Sequence, residues 1–359
     1  MTSFLGIRYA HDVMTYRSVF VALACAVGLF AAGPASASQP LKIRVGHFPN
    51  VTHAQALIGH GDGWFARAMG PDVVIDWKLF HAGPAAVQAL FAGEIDLAYL
   101  GSGPAVVGHV KSRGQALRVI AGAADGGAAL IVRPQAGIRT AADFRGKRVA
   151  SPQLGNTQDV ALRGWLADHG LTPMERGGDV RVMPMANPDS LTLFRQGQID
   201  AAWAPEPWAS RLVHEGGGTV FLDEREVWKE LTGGRFATTL LVGHPAFLAA
   251  HPDLVARWVA THVELTRWIT DHAGEAKALV NAELKRKTGK PLAPAVLDDA
   301  WGRVAFTADP IERSLVESAR WAYDQGFLGR HPPDLSRLVD RTWLDAAAGP
   351  VPAAGSARR

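Results

Sequence analysis

The sequence carries one cysteine, Cys25, in 359 residues. That excludes an internal disulfide framework and any cysteine-rich zinc site. A surplus of charge is also missing. Lys+Arg number 37 against 34 Asp+Glu, a formal charge of +3. With no clustered basic face or nucleic-acid motif beside it, that balance excludes nucleic acid as the expected partner. Beyond residue 40 no apolar run approaches the roughly 20 residues that a membrane span needs. The serine-hydrolase elbow, the paired-histidine zinc motif and the phosphate loop are absent too. What remains is globular: 48% of residues are hydrophobic and 20% charged, and the length suits two domains.

The first segment reads as an export signal. Arg17 precedes an apolar run over 19–32 (VFVALACAVGLFAA), followed by Gly33, Pro34 and the small-residue site Ala35, Ser36, Ala37. Cleavage is expected after Ala37, and translation starts at Met1 or at Met14. The mature chain then holds no cysteine, and its expected location is the periplasm.

The rest alternates strands with helices. Strands are expected at 41–46, 73–80, 95–100, 117–123, 147–151, 180–185, 199–203 and 238–242, with helices between them. One helix is read over 53–68. Thr140 and Asp143 have the spacing of a capping box, as do Asn156 and Asp159. Residues 250–345 are mostly helical, and 346–359 form a small-residue tail expected to be disordered. The pattern predicts an α/β fold with a largely parallel sheet. A repeat supports two lobes: LFAGEIDLAYLGSGP at 90–104 resembles LFRQGQIDAAWAPEP at 193–207, and their Gly-x-Ile-Asp cores lie 104 residues apart.

In open α/β sheets, ligands bind beyond the carboxyl ends of the strands. Four loops occupy such places: 48–53, 101–104, 155–158 and 205–208. Backbone N–H groups at helix starts suit an oxyanion there. Ser102, Asn156, Thr157 and Gln158 add neutral donors. Each also has a structural reading. Asn156 is a good N-cap, Ser102 and Gly103 can serve only the turn, and Trp208 can be packing. Glu206 can be a solvated helix end or a receptor for an ammonium group. Among His47, His53 and His60, the last two share a helix face, but no further ligand completes a zinc site. His53 reads as a donor to a ligand. No metal and no cofactor are expected.

Several stretches carry a family resemblance: FHAGP at 80–84, LFAGEID at 90–96, AADFRGKRV at 141–149, RQGQIDAAW at 195–203 and EPW at 206–208. In order and spacing they resemble the periplasmic solute-binding components of ABC importers of the nitrate/sulfonate/taurine type. HFPNVTHA at 47–54 and LGNTQD at 154–159 resemble the aliphatic sulfonate binders within that group. The resemblance implies a two-lobed type II periplasmic binding fold with a ligand cleft between the lobes. Lobe one would hold 38–125 and 240–345, and lobe two 126–239. Hinge crossings near 124–127 and 236–239 would use Gly126, Gly127, Gly233 and Gly234. It further implies ligand contacts from Asn50, His53, Ser102, Gly103, Asn156, Thr157, Gln158, Glu206 and Trp208, with Arg235 and Thr239 near the second crossing. The expected role is capture of an organosulfonate by a monomer that delivers it to an inner-membrane permease. Nitrate, taurine or a thiamine precursor are the alternative ligands. The fold family also includes a desulfinase, which relies on a cysteine, and a thiamine-pyrimidine synthase. Loss of Cys25 with the signal, and export itself, argue against both.

Overall fold

The computed structural model describes residues 40–348. The expected export signal and most of the expected tail lie outside those residues. The chain builds two sheets. The first contains β1 (Leu41–His47), β2 (Val73–Leu79), β3 (Leu97–Leu100), β4 (Arg118–Gly126), β10 (Ala237–Gly243) and β11 (Val304–Phe306), in the order β11-β4-β10-β3-β1-β2. The second contains β5 (Ala128–Val132), β6 (Arg148–Pro152), β7 (Arg181–Met185), β8 (Ala201–Pro205) and β9 (Thr219–Asp223), in the order β7-β6-β8-β5-β9.

Fifteen α-helices surround these sheets among the described residues. They are α1 (Ala54–Gly61), α2 (Trp64–Met69), α3 (Gly83–Phe91), α4 (Ser102–Lys111), α5 (Thr157–Asp168), α6 (Asn187–Arg195), α7 (Trp208–His214), α8 (Glu224–Val227) and α9 (Lys229–Thr232). The chain then runs through α10 (Pro245–Ala250), α11 (Pro252–Asp271), α12 (Ala273–Thr288), α13 (Pro294–Arg303), α14 (Glu312–Asp324) and α15 (Thr342–Ala348). The single helix expected over 53–68 is two, because Gly63 adopts φ 74° between them. The tail expected from 346 begins inside α15.

The sheets are mixed rather than largely parallel. β1 pairs in parallel with β2 and β3, and β6 with β7 and β8. The antiparallel pairs come from the strands at the crossings: β10 joins β3 and β4, and β5 joins β8 and β9. Sequence reading finds neither β5 nor β9. β5 (AALIV) is buried at every position and shows no alternation. All four glycines at the crossings have positive φ, between 71° and 82°.

Side chains leave a strand on alternate faces, so each sheet feeds two cores. Leu97 and Tyr99 of β3 pack with α1, α11 and α12, whereas Ala98 and Leu100 face α3 and α4. Leu130 and Trp203 face α5, whereas Ala129, Ile131 and Ala202 face α6 and α7. The α4 side of the first sheet and the α5 side of the second form one continuous core. α14 covers both, with Leu315, Ala319 and Trp321 buried in it.

The repeat has a physical basis. The Asp96 carboxylate accepts from Arg44 N at 2.7 Å, Nε at 3.0 Å and Nη2 at 2.5 Å. Asp200 accepts from Arg148 N at 2.9 Å, Nε at 3.0 Å and Nη2 at 2.9 Å. Each pair spans 52 residues and joins the first of the three parallel strands of its sheet, β1 or β6, to the entry of the third, β3 or β8. Burial pushes the Asp200 carboxyl up, but the Arg148 hydrogen bonds outweigh it and hold the group below its ordinary value. Asp200→Asn removes the charge from four donors, three on Arg148 and Arg133 Nη2 at 3.4 Å, and the guanidiniums are partly solvated. We expect a loss of about 1–3 kcal/mol in urea unfolding. A variant as stable as the parent would show that the pair is incidental to the lobe.

Buried titratable groups set a second expectation. Burial lowers His47 to about 2, His53 to about 3, and His60 and His262 to about 4. Burial raises Glu206 and Glu224 to about 7. The histidines protonate only in the unfolded chain as pH falls below about 6.5, which withdraws stability on acidification. The two glutamates act oppositely, losing stability as pH rises from about 4.5 to 7. Four histidines outweigh two glutamates. Melting temperature is therefore expected to fall steadily from pH 6.5 to 5 and to level off above 7. A flat or rising melting temperature on acidification over that range would contradict this assignment.

Candidate functional site

The loops that follow the parallel strands of both sheets meet around one cavity. Phe48, Asn50, Thr52 and His53 reach it from beyond β1, His81 from beyond β2 and Gly101 from beyond β3. From the second sheet come Asn156, Thr157 and Gln158 beyond β6, Asn187 beyond β7 and Pro205 at the end of β8. Thr238 and Thr239 of β10 close it at the crossing. The space open to water centres is about 20 Å³, on the scale of one water molecule. The lobes are thus closed on each other.

Among the described residues, no Lys, Arg, Asp or Glu lines the cavity. Its polar wall consists of amides, hydroxyls and imidazoles. Thr52 Oγ1 and Thr239 Oγ1 are buried and have no hydrogen-bond partner among the described residues, whereas the buried Gln158 amide faces the Glu224 carboxylate and helps hold its pKa down. Buried polar groups are nearly always paired, so two unpaired hydroxyls on the wall mark a place where a ligand supplies the partner. His53 stacks on Phe48 with ring centroids 4.6 Å apart, and its Nδ1 accepts from Phe48 N at 3.4 Å. Burial holds the ring neutral, and a bonded Nδ1 leaves the proton on Nε2. His53 is therefore a neutral donor.

The start of α5 forms one side of the cavity. Asn156 Oδ1 accepts from Thr157 N at 2.9 Å, which caps the helix and leaves the Asn156 amide nitrogen as a donor. Asp159 does not complete the expected capping box. Its carboxylate takes Ser151 Oγ at 2.6 Å, Gly155 N at 2.9 Å and Arg163 Nε at 3.1 Å. The acid is fully buried but neutralised away from the cavity. The capping box at Thr140 and Asp143 does form.

Several contacts join the lobes at this level. Thr157 Oγ1 accepts from Gly103 N at 3.2 Å. A Cβ at Gly101 would stand 2.2 Å from that hydroxyl, so only glycine permits the approach. Trp208 Nε1 donates to Asn50 Oδ1 at 3.2 Å, while Arg211 lies over the indole at 4.6 Å. Asn50 thus serves both the cavity wall and the lobe contact.

The remaining expected residues lie elsewhere. Ser102 and Gly103 sit in the buried first turn of α4, off the cavity wall, and Trp208 acts through Asn50. Glu206 is fully buried and faces away from the cavity. Its Oε2 accepts from Ser210 N at 3.0 Å, and Oε1 lies 3.4 Å from Arg303 Nε. Arg235 is held by Asp125 at 3.1 Å and Asp309 at 3.0 Å, which makes it a brace beside the crossing. His60 stacks on Trp77 at 5.0 Å and meets Lys287 Nζ at 2.9 Å, and it is not on the cavity wall. Sequence reading misses Thr52, His81, Asn187 and Thr238. Only Thr52 carries a usable signal, since it lies 104 residues before Asn156, the offset of the repeat.

Comparison with known proteins agrees with this architecture. The NMT1-like family model matches residues 36–282. The chain is 24% identical over 296 residues to the taurine-binding periplasmic protein of Escherichia coli K12, covering 79% of this chain and 87% of that protein. Its fold is similar to the alkanesulfonate-binding protein SsuA of Xanthomonas axonopodis bound to MOPS. That match has a TM-score of 0.70 and 21% identity, over 85% of this chain and 100% of SsuA. The desulfurization enzyme DszB shares the fold at a TM-score of 0.60 and 16% identity, over 86% of this chain and 99% of the enzyme. With the family model spanning more than half of its length, this chain belongs to the NMT1-like family.

Proposed function

We propose that this protein is the substrate-binding component of an ABC importer of the sulfonate/taurine/nitrate type, and that its ligand is an aliphatic sulfonate. One observation carries the finer reading: the cavity between the lobes is lined by neutral donors, two of them unpaired hydroxyls, with no charged side chain on the wall among the described residues. Such a wall suits a fully ionised head group that offers only acceptor oxygens. A sulfonate is such a group at any physiological pH. A phosphonate near neutrality carries a proton that needs an acceptor. The ammonium of taurine needs a carboxylate, and Glu206 is turned toward Arg303 and Ser210 instead. The α5 N-terminus adds a favourable dipole.

Export to the periplasm, with the signal over 1–37, and delivery to a membrane permease complete the proposal. The chain acts as a monomer and performs no catalysis in it. The taurine-binding and alkanesulfonate-binding relatives support the importer role. Ligand entry requires the lobes to part, because the closed cavity holds little more than a water.

Titration calorimetry on the mature chain tests the ligand. Ethanesulfonate and butanesulfonate are expected to bind at least tenfold tighter than taurine or nitrate. Binding of taurine or nitrate with no response to either alkanesulfonate would overturn the reading. Asn156→Ala and Thr239→Val each remove one wall donor, and each should weaken sulfonate binding by about 1–3 kcal/mol. Arg235→Gln, which touches no wall residue, should leave affinity within about threefold. Equal affinity in all three variants would place the ligand elsewhere.

A further inference from the structure

A carboxylate lies directly behind the donor wall. Glu224, in the first turn of α8, is fully buried. Its Oε2 accepts from Trp203 Nε1 at 2.8 Å and its Oε1 from Trp228 Nε1 at 3.4 Å. The Gln158 amide is a third donor to it. Gln158 is also a wall residue of the cavity. One neutral amide therefore stands between the carboxylate and the space for the head group. Beside Glu224 a void of about 10 Å³ is lined by Gly103, Thr157, Ser318 and Trp321, and the buried Trp321 Nε1 has no partner among the described residues. The surroundings of the acid, like the cavity wall, are built of neutral donors.

Among the described residues no cation pairs with Glu224, and the charge that acts on it is Asp223, of the same sign and one residue before it. Arg225 is turned to Asp125 O at 2.9 Å and Arg303 O at 3.4 Å. On α5, Asp159 is engaged by Arg163. Glu226, Lys229 and Glu230, on α8 and α9, are exposed. β5 and β8 carry no titratable side chain, and α14 presents Ser318 and Trp321. A buried carboxylate held by neutral donors alone is costly to ionise. Burial raises the group to about 7, against the pull of its three donors. An anion in the cavity adds a like charge across one amide, in a medium of low dielectric, and favours protonation further.

We propose that Glu224 is a positioning residue that couples anion capture to proton uptake. As the head group enters, the carboxylate takes one proton from solvent, and the Gln158 amide that it held is released to the ligand oxygens. The inference rests on the sulfonate reading of the cavity. A sulfonate stays ionised throughout, so the proton is gained by the protein. Proton and ligand then favour each other's binding by the same factor, as linkage requires.

The test is calorimetry of ethanesulfonate binding to the mature chain from pH 5.5 to 8.5, repeated in buffers of different ionisation heat, which counts the protons taken up. A rise of about one unit in the Glu224 carboxyl on binding corresponds to uptake of about 0.4 proton at pH 7 and about a fivefold loss of affinity from pH 6 to 8. Glu224→Gln keeps the shape and removes the titration. It should bind without uptake, and its affinity should stay within about twofold over that range. Its melting temperature checks that it folds. His81, the exposed histidine on the wall, would gain a proton in the same direction. His81→Asn should therefore keep the uptake, and this variant decides the matter if Glu224→Gln does not fold. No uptake by the parent, with ethanesulfonate bound, overturns the coupling and leaves the sulfonate reading standing. Uptake that persists in folded Glu224→Gln, or that is lost in His81→Asn, overturns it as well. No binding at any pH fails both readings.

Discussion

Each lobe depends on one arginine–aspartate clamp. In both, the aspartate takes the backbone N–H and two guanidinium nitrogens of an arginine 52 residues earlier. The return bond is made by the backbone: Asp96 N donates to Arg44 O and Asp200 N to Arg148 O, each at 2.8 Å. The carboxylate therefore fixes where the third parallel strand, β3 or β8, enters beside the first, β1 or β6. Side chains alternate along a strand, so a slip of one residue would turn every inward residue outward. It would also displace the loops at the far ends of those strands, where the cavity is built. The clamp lies at the opposite end of the strands from the cavity, and it acts on the site through register alone.

The site has a consistent electrostatic design. Charged residues occur close to the cavity, but each is engaged elsewhere. Asp159 is held by Arg163, Glu206 faces Arg303, and Arg235 is shared between Asp125 and Asp309. Glu224 is buried beneath the same region and receives the indole N–H of Trp203 at 2.8 Å. Burial raises its carboxyl to about 7, so near neutrality it is partly protonated and opposes an anion less than an ordinary carboxylate would. The wall that remains is neutral and donor-rich.

How much of this is legible in the sequence follows from the same physics. The parallel strands of each lobe are short and end in, or are followed within four residues by, glycine, proline or asparagine, so their loops stand out. Their helix starts name Asn156, Thr157, Gln158, Asn50 and His53, all of which reach the cavity. Glu206 and Arg235 are misplaced for one reason: residue type and position say that a charge is near the cleft, but not which partner it faces. Arg303 is 97 residues beyond Glu206, and Asp125 is 110 residues before Arg235. Thr238 lies beside a residue that the crossing suggests, yet nothing local marks it. His81 and Asn187 reach the cavity only because β2 and β7 lie at the edges of their sheets. Edge placement is a property of strand order, which a pattern of apolar residues does not carry.

The direct polar contacts between the lobes beside the cavity bear on how it opens. Two neutral hydrogen bonds, Trp208 to Asn50 and Gly103 to Thr157, join them there. Each contributes about 1 kcal/mol net, since water satisfies both partners on opening. Opening also bears on the Glu206–Arg303 pair and on the core that α14 shares with both sheets, and a ligand shifts the balance of open and closed forms only by its different affinity for the two. A wall assembled from both lobes supplies that difference: Thr52 and His53 stand on one side, Asn156 and Gln158 on the other. In the open form a head group can meet only one set, and in the closed form both. Buried arginine on that wall would bind an anion more strongly in either form. It would also leave an uncompensated charge in the empty closed state, which is costly. Neutral donors avoid that cost and let closure, rather than capture, decide the affinity.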